Sequence, residues 1–271
     1  MNKIKYFFQF LIVIFMFFIF RLLSLKISSF IGGKIFQFIG PFFRSKKIIH
    51  LNIKRAFPNL NQKEMNKITS NMWNNYGRVF AEYMFIKKFR NNQLNNNIII
   101  EGKEILNDLK EKNIKAIFIS GHFSNFELMA MQIEKAGIDL AAVYRPLNNK
   151  FLNPLMERLR KKYICQNQIK KGISGMKKLL YFFKKGTSIA LMIDQRVSQG
   201  IKTKFFNHEA YTTTIPAQFV KKFNCSIVPV YIERVDGVNF KLTIKNPIKF
   251  NKNETIENIT SHLNKIMEKM I

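Results

Sequence analysis

The residues best placed to do chemistry lie in residues 114–131, IKAIFISGHFSNFELMAM, where His122 and Glu127 are separated by Phe123, Ser124, Asn125 and Phe126. A neutral imidazole is the side chain suited to take a proton near neutral pH. A carboxylate that accepts a hydrogen bond from its other ring nitrogen fixes the tautomer and stabilises the imidazolium as it forms. On one continuous helix these two side chains would diverge, because helical neighbours are three or four apart. The pairing therefore requires His122 in a turn and a chain that folds Glu127 back toward it, a bend that Gly121 permits. A plainer reading stands beside this one. Ser124-x-x-Glu127 has the form of a capping box, and His122 alone would be an ordinary hydrogen-bonded turn residue.

The elements around the pair must supply that geometry. Residues 114–120 are apolar, β-branched or aromatic in the main and end at Gly121, which predicts a short buried strand. Phe126, Met129, Ala130 and Ile133 share one helical face, with Gly137 past its end. Residues 139–144 read as a second strand, and strand, helix and strand in so short a span imply a parallel crossover. A third buried strand over 188–193 delivers Asp194 and Gln195 at its carboxyl end. Further strands are predicted over 98–101, 226–233 and 240–245. Helices are predicted over 62–89, 105–112, 153–163, 176–184, 215–223 and 256–270. The alternation predicts an α/β fold with a mixed, mostly parallel sheet flanked by helices. Sites in such sheets lie at the carboxyl ends of the strands, and His122, Arg145 and Asp194 each directly follow a predicted strand. Arg145 precedes Pro146 and suits a clamp on phosphate or a developing oxyanion. The alternative is a salt bridge to Asp194, whose own alternatives are an orienting role, acceptor binding, or pairing with Arg145 or Arg196.

The 271 residues suffice for one domain plus an anchor, and 47% hydrophobic residues are ample for a core. Residues 6–20 are apolar apart from Gln9, with Lys3 and Lys5 before and Arg21 and Lys26 after. That stretch approaches the roughly 20 residues of a spanning helix. No small-x-small cleavage pattern follows it, so an uncleaved anchor is favoured over a signal peptide. The organisation expected is an anchor helix over 1–26, a basic and apolar membrane-proximal segment over 27–60, and a catalytic domain over 61–271. Within 27–60, Ile27, Phe30, Ile31, Ile35, Phe36 and Phe38 would form either a membrane-surface helix or core.

Lys and Arg number 45 against 17 Asp and Glu, a net charge of +28. Such a field suits an anionic partner: a membrane, an acidic protein or nucleic acid. The abundance of Lys, Asn, Ile and Phe also fits an AT-rich coding sequence, which raises Lys without a binding role. Nucleic acid is not expected, since no recognition-helix pattern or cluster of RNA-binding aromatics is present. Cys165 and Cys225 lack metal-type spacing and do not suggest a disulfide framework. Without a His/Cys cluster or a Gly-rich phosphate loop, neither metal nor nucleotide cofactor is expected.

Taken in order, the motifs resemble a known family. GHFSNFE resembles the His-x-x-x-x-Glu motif of the bacterial lipid A late acyltransferases (lauroyl/myristoyl acyltransferases), part of a wider glycerolipid acyltransferase group that uses His-x-x-x-x-Asp. Val143-Tyr144-Arg145-Pro146 with Asn148 resembles the family's second block, and Leu191-Met192-Ile193-Asp194-Gln195 its Asp-Gln block. Phe205-Phe206-Asn207 with Ala210 and Thr212, then Val228-Pro229-Val230 with Arg234, resemble later blocks. Asn207 stands where the family usually has Gly. Asn tolerates a left-handed backbone, so a turn is expected there, with no catalytic role for His208. The family also carries a Trp- and Arg-containing segment after its closing helix, which is not seen here before Ile271. The resemblance implies that acceptor binding does without that segment or differs.

The resemblance further implies an O-acyltransferase at the cytoplasmic face of the bacterial inner membrane. The donor would be a fatty acyl thioester on acyl carrier protein, and the acceptor a hydroxyl of a lipid A precursor. His122 would be the general base oriented by Glu127, with Arg145, Asp194, Asn125 and Gln195 binding substrate and no acyl-enzyme. The alternative acceptor on the same fold is a lysophospholipid, glycolipid or aminolipid.

Overall fold

A computed structural model describes residues 2–271. The amino-terminal part is helical: α1 (Asn2–Leu22), α2 (Leu25–Ile39), α3 (Lys46–Ala56), α4 (Gln62–Glu82) and, after a 3₁₀ turn over Tyr83–Phe85, α5 (Ile86–Arg90). The remainder alternates: β1 (Ile98–Glu101), α6 (Lys103–Glu111), β2 (Ile117–Ser120), α7 (Glu127–Lys135), β3 (Leu140–Tyr144), α8 (Leu152–Tyr163), β4 (Asn167–Lys170), α9 (Ile173–Lys184) and β5 (Ser188–Met192). A hairpin of β6 (Ile201–Phe205) and β7 (His208–Thr212) follows. Then come α10 (Ile215–Phe223), β8 (Ile227–Asp236), β9 (Asn239–Ile244) and α11 (Ile256–Met270).

The sheet has seven strands in the order β1-β9-β8-β2-β5-β3-β4. β8, β2, β5, β3 and β4 run parallel, while β9 is antiparallel to β8 and carries β1 with it. The expected α/β fold with a mixed, mostly parallel sheet is therefore the observed one. Both faces are covered, which explains why β2 reads as an unbroken apolar run. Phe118 packs toward α5, α6 and α7 with Phe89, Leu106 and Leu128. Ile117 and Ile119 point to the opposite face, toward Phe183, Phe219 and Leu263 on α9, α10 and α11.

Two features depart from the sequence pattern. The helix expected over 62–89 is interrupted at Tyr83–Phe85, which turns the chain between α4 and α5. The edge strand β4 and the β6–β7 hairpin were not foreseen as strands, although the turn at Phe206-Asn207 was: both have positive φ, 48° and 61°. A two-residue loop with both positions left-handed matches the twist of its flanking strands.

The stretch Lys3–Leu22 is long and apolar enough to cross a membrane, with mean hydropathy 1.9. One side of α1 lies on the protein: Phe17 and Phe20 are buried against Phe80. Near its start, the backbone oxygen of Tyr6 accepts from the side chain of Asn149, in the segment after β3. Phe8, Ile12, Phe15 and Phe18 point outward and are exposed.

Candidate active site

The register of two neighbouring strands builds the site. In the parallel pair β2–β5, Ser120 lies opposite Met192, and the Ile193 N–H donates to the Ser120 carbonyl at 2.9 Å. Two residues further along each strand, His122 and Asp194 emerge side by side. His122 Nδ1 lies 2.8 and 3.1 Å from the two oxygens of Asp194, and the His122 backbone N–H donates to Asp194 Oδ2 at 2.9 Å. An ionised carboxylate only accepts, so Nδ1 carries a proton, and in the neutral ring Nε2 keeps its lone pair. That nitrogen lies 3.5 Å from Gln195 Nε2 and faces the cavity. Burial acts to raise the Asp194 carboxyl, but the hydrogen bonds and charge of His122 outweigh it and hold the group below the ordinary carboxylate value. The pair is half-open, with side chains 30% and 21% exposed.

Glu127 does not return to His122. Among the described residues its carboxylate accepts from Arg160 at 2.7 and 2.9 Å, and from the hydroxyl of Tyr83. The capping-box reading fails as well: α7 begins at Glu127 itself, with no side-chain cap at Phe126. Ser124 instead takes a left-handed φ of 42°, strain costing on the order of 1–3 kcal/mol that reverses the chain between His122 and Glu127. The two residues leave the turn in different directions, as five-residue spacing on a helix would also have them do. Burial alone would lower the Arg160 guanidinium, but the charge of Glu127, then Tyr83, reverses this and holds it above its ordinary value. Burial first, then the Glu127 charge, push the Tyr83 phenol well above its usual range, so it stays a donor. The side chains of this ion pair are 15% and 8% exposed, and both Glu127 and Arg160 contribute to the cavity wall.

The cavity, of about 450 Å³, opens at the carboxyl ends of β2, β5 and β3. His122, Glu127, Arg145, Arg160, Lys171 and Gln195 line it. Arg145 lines the cavity, and the Asp194 that was offered as its alternative partner is engaged by His122. Asn125 was expected to bind substrate. It is instead buried behind the turn, 3% exposed, and donates to Glu82 at 2.8 Å. A second cavity of about 400 Å³ shares Val143, Lys171, Val197, Thr213 and Ile215 with the first and runs between β4 and α9, past Met176 and Leu179.

Arg160, Tyr83 and Lys171 were not singled out from the sequence. Arg160 carried one usable signal. It lies four residues after Met156, on the buried stripe of the basic helix α8, where a solvated arginine is not expected. Tyr83 falls inside the helix expected over 62–89 with no signal of its own, and Lys171 follows β4, an edge strand too polar to recognise.

The chain as a whole, residues 1–271, matches the family described as bacterial lipid A biosynthesis acyltransferase. It is 24% identical over 234 residues to a lipid A biosynthesis lauroyltransferase of Escherichia coli (strain K12), covering 84% of this chain and 74% of that one. Among solved structures it is similar to the 1-acyl-sn-glycerophosphate (LPA) acyltransferase PlsC from Thermotoga maritima. The TM-score is 0.45, with 14% identity, over 91% of this chain and 95% of that chain.

Proposed function

The chain belongs to the bacterial lipid A biosynthesis acyltransferase family, and from that membership we propose an O-acyltransferase that carries a fatty acyl group from acyl carrier protein to a hydroxyl of a lipid A precursor. The observation that carries the chemistry is the His122–Asp194 pair, with Nδ1–H held by a carboxylate and the ring in the cavity lining beside Gln195.

In the reaction, His122 Nε2 takes the acceptor hydroxyl proton as the oxygen attacks the thioester carbon. Asp194 replaces Glu127 as the carboxylate that orients the ring and stabilises the imidazolium. The tetrahedral oxyanion forms against Arg160, kept charged and rigid by Glu127 and Tyr83, while Arg145 and Lys171 hold substrate phosphate. The carbon–sulfur bond then breaks, the ester is released, and the imidazolium proton passes to the leaving thiolate. Transfer is direct, with no enzyme nucleophile. The acyl tail lies in the second cavity, between Met176, Leu179 and Ile215.

Helix α1 anchors the protein at the cytoplasmic face of the inner membrane. The Tyr6–Asn149 contact keeps the anchor beside Leu147 and Asn148 at the cavity mouth, so a lipid acceptor enters from the bilayer. The net charge of +28 favours anionic lipid and an acidic carrier protein.

The test is acyl transfer in detergent micelles from acyl carrier protein thioesters. A tetra-acylated lipid A precursor and a lysophospholipid are offered in parallel to wild type and His122→Ala. Transfer to the lipid A precursor alone, abolished by the substitution, is the expected result. Transfer to the lysophospholipid alone would keep the His122 chemistry and discard the lipid A assignment.

A further inference from the structure

Behind the turn that presents His122 and Glu127 lies a buried polar network that the reaction scheme leaves unused. It begins where α2 crosses α4. A Cβ on Gly77 would lie 2.0 Å from the Gly32 carbonyl oxygen, and one on Gly32 would lie 2.5 Å from that of Gly77. The two backbones therefore touch, and that contact brings Ser29 of α2 within reach of Glu82 at the end of α4. The Glu82 side chain is 0% exposed, and Arg234 on β8 is 13% exposed.

Each Glu82 oxygen accepts two hydrogen bonds. Oε1 accepts from Ser29 at 2.7 Å and from Arg234 at 2.6 Å. Oε2 accepts from Arg234 at 3.1 Å and from the Asn125 amide at 2.8 Å. Arg234 also donates to Asn75 at 3.3 Å, and Asn75 donates to the Ser124 carbonyl at 3.1 Å. A register irregularity between β8 and β9 falls at Arg234/Asp236, where bulges re-aim side chains. Ser124 and Asn125, the left-handed turn between His122 and Glu127, are thus gripped at two points from one charged centre.

We propose that Glu82 is a positioning residue for acyl transfer: with Arg234 and Ser29 it clamps Asn125 and so fixes the turn that aims His122 into the cavity, making helix α2 part of the site's support. The proposal rests on His122 as the base. A buried carboxylate with all of its hydrogen bonds made to fixed groups is stiff, because each partner would lose a charge-assisted bond by moving. Stiffness here matters because a misplacement on the order of 1 Å in a reacting group costs up to about 100-fold in rate.

The experiment removes the clamp's grip and spares its charged pair. Asn125→Ala in the full chain is assayed for kcat and KM beside His122→Ala, with hydrogen exchange followed by mass spectrometry and the thermal midpoint measured on the same samples. The expected result is a fall in kcat of about 10- to 100-fold, little change in KM for the acyl donor, and faster exchange confined to residues 121–127. The exchanged pair Glu82→Gln with Asn125→Asp, which keeps one carboxylate in the network and the bond between positions 82 and 125, recovers kcat relative to Glu82→Gln alone. If Asn125→Ala does not fold, Asn75→Ala removes the other grip and carries the same expectation. A wild-type kcat in these variants, while His122→Ala is inactive, overturns the clamp alone. Activity in His122→Ala overturns the reading beneath it. A lower kcat explained wholly by loss of folded protein, with exchange in 121–127 unchanged, also overturns the clamp.

Discussion

Two carboxylates, Glu127 in the wall of the cavity and Asp194 behind His122, are built in opposite ways. Asp194 meets an imidazole through Nδ1, in a pair whose side chains keep partial access to solvent and whose Nε2 has only the Gln195 amide near it. Glu127 is closed in by a guanidinium and a phenol, each of which stays protonated. A group that must gain and lose a proton needs an acceptor whose hold strengthens as charge develops. A group that must stay charged while the reaction charge passes needs a partner that never lets go. The first arrangement suits a base and its orienter; the second suits a fixed positive wall.

That contrast can be broken from either side. The largest effect falls on His122, the proposed base: His122→Ala lowers kcat roughly 10²- to 10⁴-fold with the thermal midpoint little changed, checked by single-turnover transfer and calorimetry. Next comes the wall. Arg160→Met leaves Glu127 buried without a counter-charge, which costs about 3–5 kcal/mol of stability by denaturant titration and about 10²- to 10³-fold in kcat. Glu127→Gln in the same chain recovers most of the stability but not the rate, because the wall is still missing. If rate returned with stability, the wall would be scaffolding only.

Asp194→Asn lowers kcat about 10²-fold and moves the acid limb of the pH–rate profile to lower pH, since a neutral amide no longer favours the imidazolium. The same carboxylate has a stability signature. Its folded-state value lies below the unfolded one, so its contribution is fully present above the unfolded value of about 3.9. That contribution is lost as pH falls through the folded value. Acid titration of wild type and Asp194→Asn therefore converges below that window. The smallest effect is electrostatic recruitment: raising salt from about 50 to 500 mM increases KM for the carrier-protein thioester several-fold and leaves kcat nearly unchanged.

The fold was legible where burial writes a clear period. Helices over 215–223 and 256–270 lie where their apolar spacing put them, and the strands after which His122, Arg145 and Asp194 follow were readable as apolar runs. β4 was not legible, because an edge strand reading NQIK needs no apolar face on its open side. The site was half legible. Residue type and position at strand ends marked His122, Arg145 and Asp194. The partner of His122 was not marked, because distance along the chain points to Glu127 while the β2–β5 register, set by packing far from the turn, points to Asp194. The left-handed Ser124 hid this further, since Ser-x-x-Glu is a helix-start pattern and the chain uses it for a reversal. Asn125 and Arg234 lie in stretches that read as part of the site, and Asn125 turned out to sit behind it, held by a carboxylate distant in sequence.

The central claim is that His122 works through Asp194, and the pH dependence of single-turnover acyl transfer in wild type, Asp194→Asn and Glu127→Gln tests it most directly. The account predicts that Asp194→Asn moves the acid limb to lower pH, whereas Glu127→Gln lowers the plateau and leaves the limb where it is. A limb that moves in Glu127→Gln and stays in Asp194→Asn would contradict it.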